Sequence, residues 1–124
     1  MENLTISSSP CTPEVAFLLN GKLLIEGRSL PEDVDTFFDP LEKWLSQLTT
    51  ESVDFDIKLE YFNTASSKKI RNLLKTIDSN VNIKKINITW HYEKGDEDSL
   101  ESGQIFEELM QRSTFRYLEF AEAA

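Results

Sequence analysis

The sequence predicts an α/β domain with a mixed β-sheet and helices mainly on one of its faces. Three observations carry this. Residues 53–61 and 86–92 alternate apolar and polar side chains, as strands buried on one face do. Between them Ile70, Leu73, Leu74 and Ile77 recur at three and four residues, the stripe of an amphipathic helix. Asn20-Gly21 separates two short β-prone runs. Strand, helix, strand implies a right-handed parallel crossover, whereas Asn-Gly implies an antiparallel hairpin, so the sheet is mixed.

Taken in order, residues 1–13 mix Ser, Thr and Pro around a short apolar patch and read as a flexible lead-in or an edge strand. Residues 14–19 and 22–26 are the hairpin arms, and Asn20-Gly21 supplies the positive φ angles of a tight turn. From Pro31 the period changes, with Val34, Phe37, Phe38, Leu41, Leu45 and Leu48 forming a helical stripe flanked by Trp44. Pro40 lacks an N–H, so this helix either kinks there or restarts with Asp39 as N-cap.

The strand at 53–61 points Val53, Phe55, Ile57, Leu59 and Tyr61 one way and Asp54, Asp56, Lys58 and Glu60 the other. The helix after it has a basic polar face of Lys68, Lys69, Arg71 and Lys75. In the following strand Ile86, Ile88, Trp90 and Tyr92 face inward, and Asn87, Thr89 and His91 outward. Residues 93–99 form an acidic turn around Gly95. Asp98 and Glu101 have capping-box spacing for a third helix through Ile105, Phe106, Leu109 and Met110, and residues 115–120 close as a short strand. With two strands polar on one face, the helices cover the other, which leaves one side of the sheet open to solvent or to a partner.

The 124 residues, 40% hydrophobic, suffice for a single domain over residues 1–124 that buries a core without disulfides or a structural metal. Twenty-two acidic against thirteen basic side chains give a formal net charge of −9 and an isoelectric point near 4.6, a field that repels nucleic acid and anionic membranes. No basic leader with an apolar centre opens the chain, and no apolar run approaches the roughly 18 residues of a membrane span. Cys11, the single cysteine, has no intrachain partner and suits a reducing compartment. The expectation is a soluble cytoplasmic protein that binds neither nucleic acid nor membrane.

Enzyme signatures are missing from the sequence: it has no glycine-rich phosphate loop, CxxC pair, HExxH or GxSxG. His91 is the only histidine and has no neighbouring ligand set for zinc. Asp54, Asp56 and Glu60 share a strand face on which paired-carboxylate chemistry or magnesium binding is conceivable, but Lys58 between them makes a solvated charged face the simpler account. Asp96, Glu97 and Asp98 lack the spacing of a calcium loop and serve a turn and a helix cap. No metal or cofactor is expected.

The segment Asn63-Thr64-Ala65-Ser66-Ser67-Lys68 differs from these. Three hydroxyls and an amide stand where the alternating strand ends and the basic helix begins, where backbone N–H groups lack partners and the helix dipole favours negative charge. A phosphate on this segment would be accommodated, adding about −1.5 to −2 charges while barely disturbing the core. By the residues alone, ordinary N-capping by Thr64 or Ser66 explains the hydroxyls more simply.

Four stretches bear a resemblance: Glu26-Gly27-Arg28-Ser29-Leu30-Pro31-Glu32, Asp39-Pro40-Leu41-Glu42-Lys43-Trp44-Leu45, Leu59-Glu60-Tyr61-Phe62-Asn63-Thr64-Ala65-Ser66-Ser67-Lys68 and Trp90-His91-Tyr92. Together, over roughly residues 15–106, the sequence resembles the SiaC-type regulatory phosphoproteins of bacterial biofilm control. The Asn-Thr-x-Ser-Ser element is the most specific part. The resemblance implies a fold similar to the STAS domains of anti-sigma-factor antagonists, and partner switching as the function. It implies that a Ser/Thr kinase of the histidine-kinase-like ATPase type phosphorylates Thr64 and that a PP2C-type phosphatase reverses this. The unphosphorylated form is then expected to bind and activate a diguanylate cyclase, with Asn63, Ser66 and Ser67 shaping the loop. Ala65 stands where relatives commonly have serine, which leaves Thr64 the clearer acceptor. Two other outputs compete: an anti-sigma-factor antagonist, and a small-ligand carrier or enzyme using Asp54, Asp56 and Glu60.

Overall fold

A computed structural model describes residues 1–121. Its elements run β1 (Leu4–Ile6), β2 (Glu14–Phe17), β3 (Lys22–Ser29), α1 (Val34–Gln47), β4 (Thr50–Phe62), α2 (Thr64–Ser79), β5 (Ile83–Glu93), α3 (Glu97–Glu108) and β6 (Thr114–Phe120). The strands form one sheet in chain order, antiparallel from β1 to β3 and parallel from β3 to β6. Each parallel step is bridged by one helix, so all three helix N-termini lie at the same edge as the carboxyl ends of β3, β4 and β5. The inward residues of the sheet, Phe17, Ile25, Phe55, Ile57, Ile88 and Trp90 among them, share one core with Phe38, Leu41 and Leu45 of α1, Ile70, Leu74 and Ile77 of α2, and Phe106 of α3. The predicted mixed sheet, covered by helices on one face, is what forms.

The lead-in resolves into the edge strand β1, and Trp44, expected to flank its stripe, is buried with its indole N–H donating to the Glu2 carbonyl at 2.7 Å. Only Gly21 of the hairpin dipeptide takes positive φ, 95°, while Asn20 stays negative. The turn is longer than a two-residue one, closing with Gly21 N–H on the Leu18 carbonyl at 3.0 Å. A Cβ on Gly21 would lie 2.0 Å from the Ser52 carbonyl oxygen, so both conformation and space demand glycine.

Pro40 neither ends nor restarts α1. The helix runs through it from an N-cap at Asp33, whose carboxylate takes the Thr36 N–H at 3.1 Å. Thr36 and Pro40 both face solvent, so water can serve the carbonyl that Pro40 leaves without a donor. The Thr36 N–H also holds the Asp33 carboxyl below the usual carboxylate range.

The cap of α3 is Asp96, which accepts the Ser99 N–H at 3.0 Å, and not Asp98, which lies inside the helix. Nor does α3 pack through Ile105 and Leu109, which are exposed; it packs through Ser99, Gly103 and Phe106. The bare Cα of Gly103 lets α3 rest on the Trp90 ring, and the indole N–H donates to the Ser99 carbonyl at 3.0 Å.

At the opposite edge, Asp78 ties the end of α2 to the turn before β6. Its carboxylate accepts the N–H groups of Gln111, Arg112 and Ser113 and the Ser113 hydroxyl at 2.8–3.0 Å. Burial alone would push this carboxyl up, but the four donors together hold it below its ordinary value.

Candidate functional site

The alternation of β4 breaks just before the segment of interest. Leu59 pairs with Gly27 but Tyr61 pairs with Arg28, so Glu60 is an extra residue, a β-bulge. The bulge reverses the pattern: Tyr61, expected to face the core, is 47% exposed with the Arg28 guanidinium 5.6 Å from its ring centre. Phe62 takes the inward place, edge-on to Trp90 with ring centres 6.0 Å apart. The strand end is thereby re-aimed before it meets α2.

Four hydrogen bonds then lock the turn. The Asn63 N–H donates to the Ser29 carbonyl at 3.2 Å, and the Asn63 side-chain oxygen accepts the Ser66 N–H at 2.8 Å. The Ser66 hydroxyl donates to that same Ser29 carbonyl at 3.1 Å and accepts the Ser29 hydroxyl at 2.8 Å. The Ser67 N–H adds the first helical rung, to the Asn63 carbonyl at 2.9 Å. Asn63 is thus the N-cap of α2, and neither Thr64 nor Ser66 fills that role.

The six residues therefore part ways. Thr64 is the first residue of the helix and is exposed, as is Ala65. Ser66 is wholly buried and Ser67 half-buried. Lys68, one turn beyond Thr64, is exposed and among the described residues has no carboxylate within ion-pair distance. Lys69 instead bridges to α1, 2.6 Å from Asp35 and 3.1 Å from Asp39, and the Asp35 hydrogen bond raises its pKa. The Thr64 and Ala65 amides precede the helical ladder and so lack intrahelical acceptors, and the positive end of the α2 dipole lies there. A phosphoryl group on the Thr64 oxygen would enter solvent with donors and an ammonium at hand.

The other candidate groups are not brought together. On the open face Asp56 takes the His91 ring at 2.8 Å, Asp54 accepts the Asn87 side-chain amide at 3.3 Å, and Lys58 lies 3.8 Å from Glu26. Glu60 is the unpaired residue of the bulge, near the carboxyl end of β4. Among the described residues no three Asp, Glu, His or Cys side chains converge as a metal site would need. Cys11 is an exposed free thiol whose carbonyl receives the Leu30 N–H at 2.8 Å. Among the described residues no helix is long and apolar enough to cross a membrane. The sequence missed Ser29 and the bulge: nothing in Arg28-Ser29-Leu30 marks a serine for complete burial, and strict alternation through Tyr61 hides the extra residue.

A search of curated proteins finds no match. The fold resembles apo-SiaC from Pseudomonas aeruginosa, with a TM-score of 0.83 and 22% identity over 95% of this chain and 99% of that one. A chain of a second structure, of the diguanylate cyclase SiaD in complex with its activator SiaC from the same organism, matches with a TM-score of 0.83 and 22% identity, over 94% of this chain and 99% of that one. A family model for the SiaC family regulatory phosphoproteins matches residues 6–120, and the chain belongs to that family.

Proposed function

We propose that this chain is a partner-switching regulator whose phosphoacceptor is Thr64. A Ser/Thr kinase of the histidine-kinase-like ATPase type phosphorylates Thr64, a PP2C-type phosphatase removes the group, and the unphosphorylated form binds and activates a diguanylate cyclase in the cytoplasm. The observation that carries this reading is the placing of Thr64: of the hydroxyls at positions 64, 66 and 67 it alone is exposed, at the first position of a helix whose entry is locked. Membership of a family of regulatory phosphoproteins supports it, and so does the P. aeruginosa relative described as the activator of a cyclase.

The physical action of the phosphate follows from the same placing. It adds about −1.5 to −2 charges at neutral pH beside the unpaired amides of α2 and within a helical turn of Lys68, so it can be held without rearranging the core. What changes is the surface that a partner meets. A binding pocket shaped for a threonine methyl and hydroxyl would have to desolvate a dianion, which costs several kcal/mol unless cations await it.

Capture from lysate of the chain's host separates the outputs. Unphosphorylated protein should retain a diguanylate cyclase, and protein phosphorylated at Thr64 should lose it. Retention of an anti-sigma factor in place of a cyclase would replace this output with the sigma-factor one.

A further inference from the structure

We propose that Ser29 and Ser66 are positioning residues for phosphoryl transfer at Thr64, a proposal that rests on the reading above and adds how the acceptor is aimed. Both side chains are fully buried, at 0% exposure, and neither can touch a kinase. Yet they form a closed circuit around the turn that carries Thr64. The Ser29 hydroxyl donates to the Ser66 oxygen, the Ser66 hydroxyl donates to the Ser29 carbonyl, that carbonyl also takes the Asn63 N–H, and the Asn63 side chain takes the Ser66 N–H.

The circuit joins the last residue of β3 to the third residue of α2 across a parallel strand pair, at the point where the bulge at Glu60 has already shifted the register. A capped helix needs only the Asn63 bond, so the two serines are not required to start α2. What they add is a second tether from the opposite side of the turn. The two tethers hold the backbone on either side of Thr64, at Asn63 and at Ser66, and so restrict where its hydroxyl can be presented. Phosphoryl transfer is governed by such alignment of the attacking oxygen, and displacements of an ångström cost large factors in rate.

The same circuit withdraws Ser66 from modification. Ser66 is consumed as a buried donor and acceptor, which leaves Thr64 as the exposed acceptor of the segment.

The test uses full-length protein and the kinase that phosphorylates it in its host, with Ser29→Ala and Ser66→Ala variants. Ser29→Ala removes one donor while leaving Ser66 bonded to the Ser29 carbonyl, so its fold survives. Positioning predicts that kcat for Thr64 phosphorylation falls about tenfold in Ser29→Ala, with KM within about twofold because the docking surface is untouched. Amide hydrogen exchange of Ser66 and Ser67 should accelerate in the same variant, and site mapping should find the wild-type phosphate on Thr64 and none on Ser66. Wild-type kcat in folded Ser29→Ala and Ser66→Ala would overturn the positioning role while leaving Thr64 as the acceptor. A wild-type chain that takes no phosphate on Thr64 would overturn the switch reading and this proposal with it.

Discussion

The side-chain oxygen of Asn63 accepts the Ser66 N–H at 2.8 Å, so the cap of α2 stands one residue before Thr64 and the threonine is relieved of structural duty. Asn63→Ala should therefore destabilise the protein by about 1 kcal/mol, and Thr64→Ala should change stability by less than about 0.5 kcal/mol. Urea unfolding of the two variants checks this. A larger loss in Thr64→Ala than in Asn63→Ala would return the cap to Thr64.

The bulge at Glu60 makes a paired prediction for its neighbours. Phe62 packs on Trp90, so Phe62→Ala should cost about 2–3 kcal/mol, whereas Tyr61→Ala, on the exposed side, should stay within about 0.5 kcal/mol. Uninterrupted alternation would make Tyr61 the costly one.

Gly103 lies against the Trp90 ring, where an added Cβ would stand 2.8 Å from a ring carbon. Alanine is the better helix former by about 1 kcal/mol, yet Gly103→Ala should be net destabilising by about 1–2 kcal/mol because α3 must lift off the indole. Denaturant melts give the sign, and a shift in tryptophan fluorescence reports the displaced ring.

Asp78 should make stability depend on pH. Its carboxyl titrates below the ordinary value in the folded state, so its contribution is full above the unfolded pKa of about 3.9 and is lost as pH falls through the lower folded value. Asp78→Asn should thus cost about 2 kcal/mol near pH 6 and progressively less below about pH 4. Denaturation of both proteins across pH 2.5–7 measures the convergence. A gap that widened on acidification would contradict the assignment.

Much of this fold was legible in the sequence because alternation and helical stripes record which face is buried. Val53, Phe55, Ile57 and Leu59 are inward as their spacing requires, and Ile70, Leu73, Leu74 and Ile77 form the buried face of α2. The readings that failed concern local choices periodicity does not encode. An extra residue at Glu60 turned Tyr61 outward, and α3 packs through Ser99 and Gly103 because an indole needs a small partner more than it needs an apolar one. Asp96 took the cap from Asp98 because the turn at Gly95, with φ of 90°, ends at Asp96.

The site divides the same way. The hydroxyl-rich segment was visible at a strand-to-helix junction, and resemblance singled out Thr64 within it. The differing burial of Thr64 and Ser66 was not visible, since both are hydroxyl residues in one short run. Ser29, 37 residues before Ser66, becomes its neighbour only through the parallel pairing of β3 with β4.

The most direct test of the switch is phosphosite mapping by mass spectrometry on wild type and Thr64→Ala after exposure to the kinase and ATP. The account predicts a single phosphate on Thr64 of the wild type and none on the variant. Equal incorporation into Thr64→Ala would contradict it.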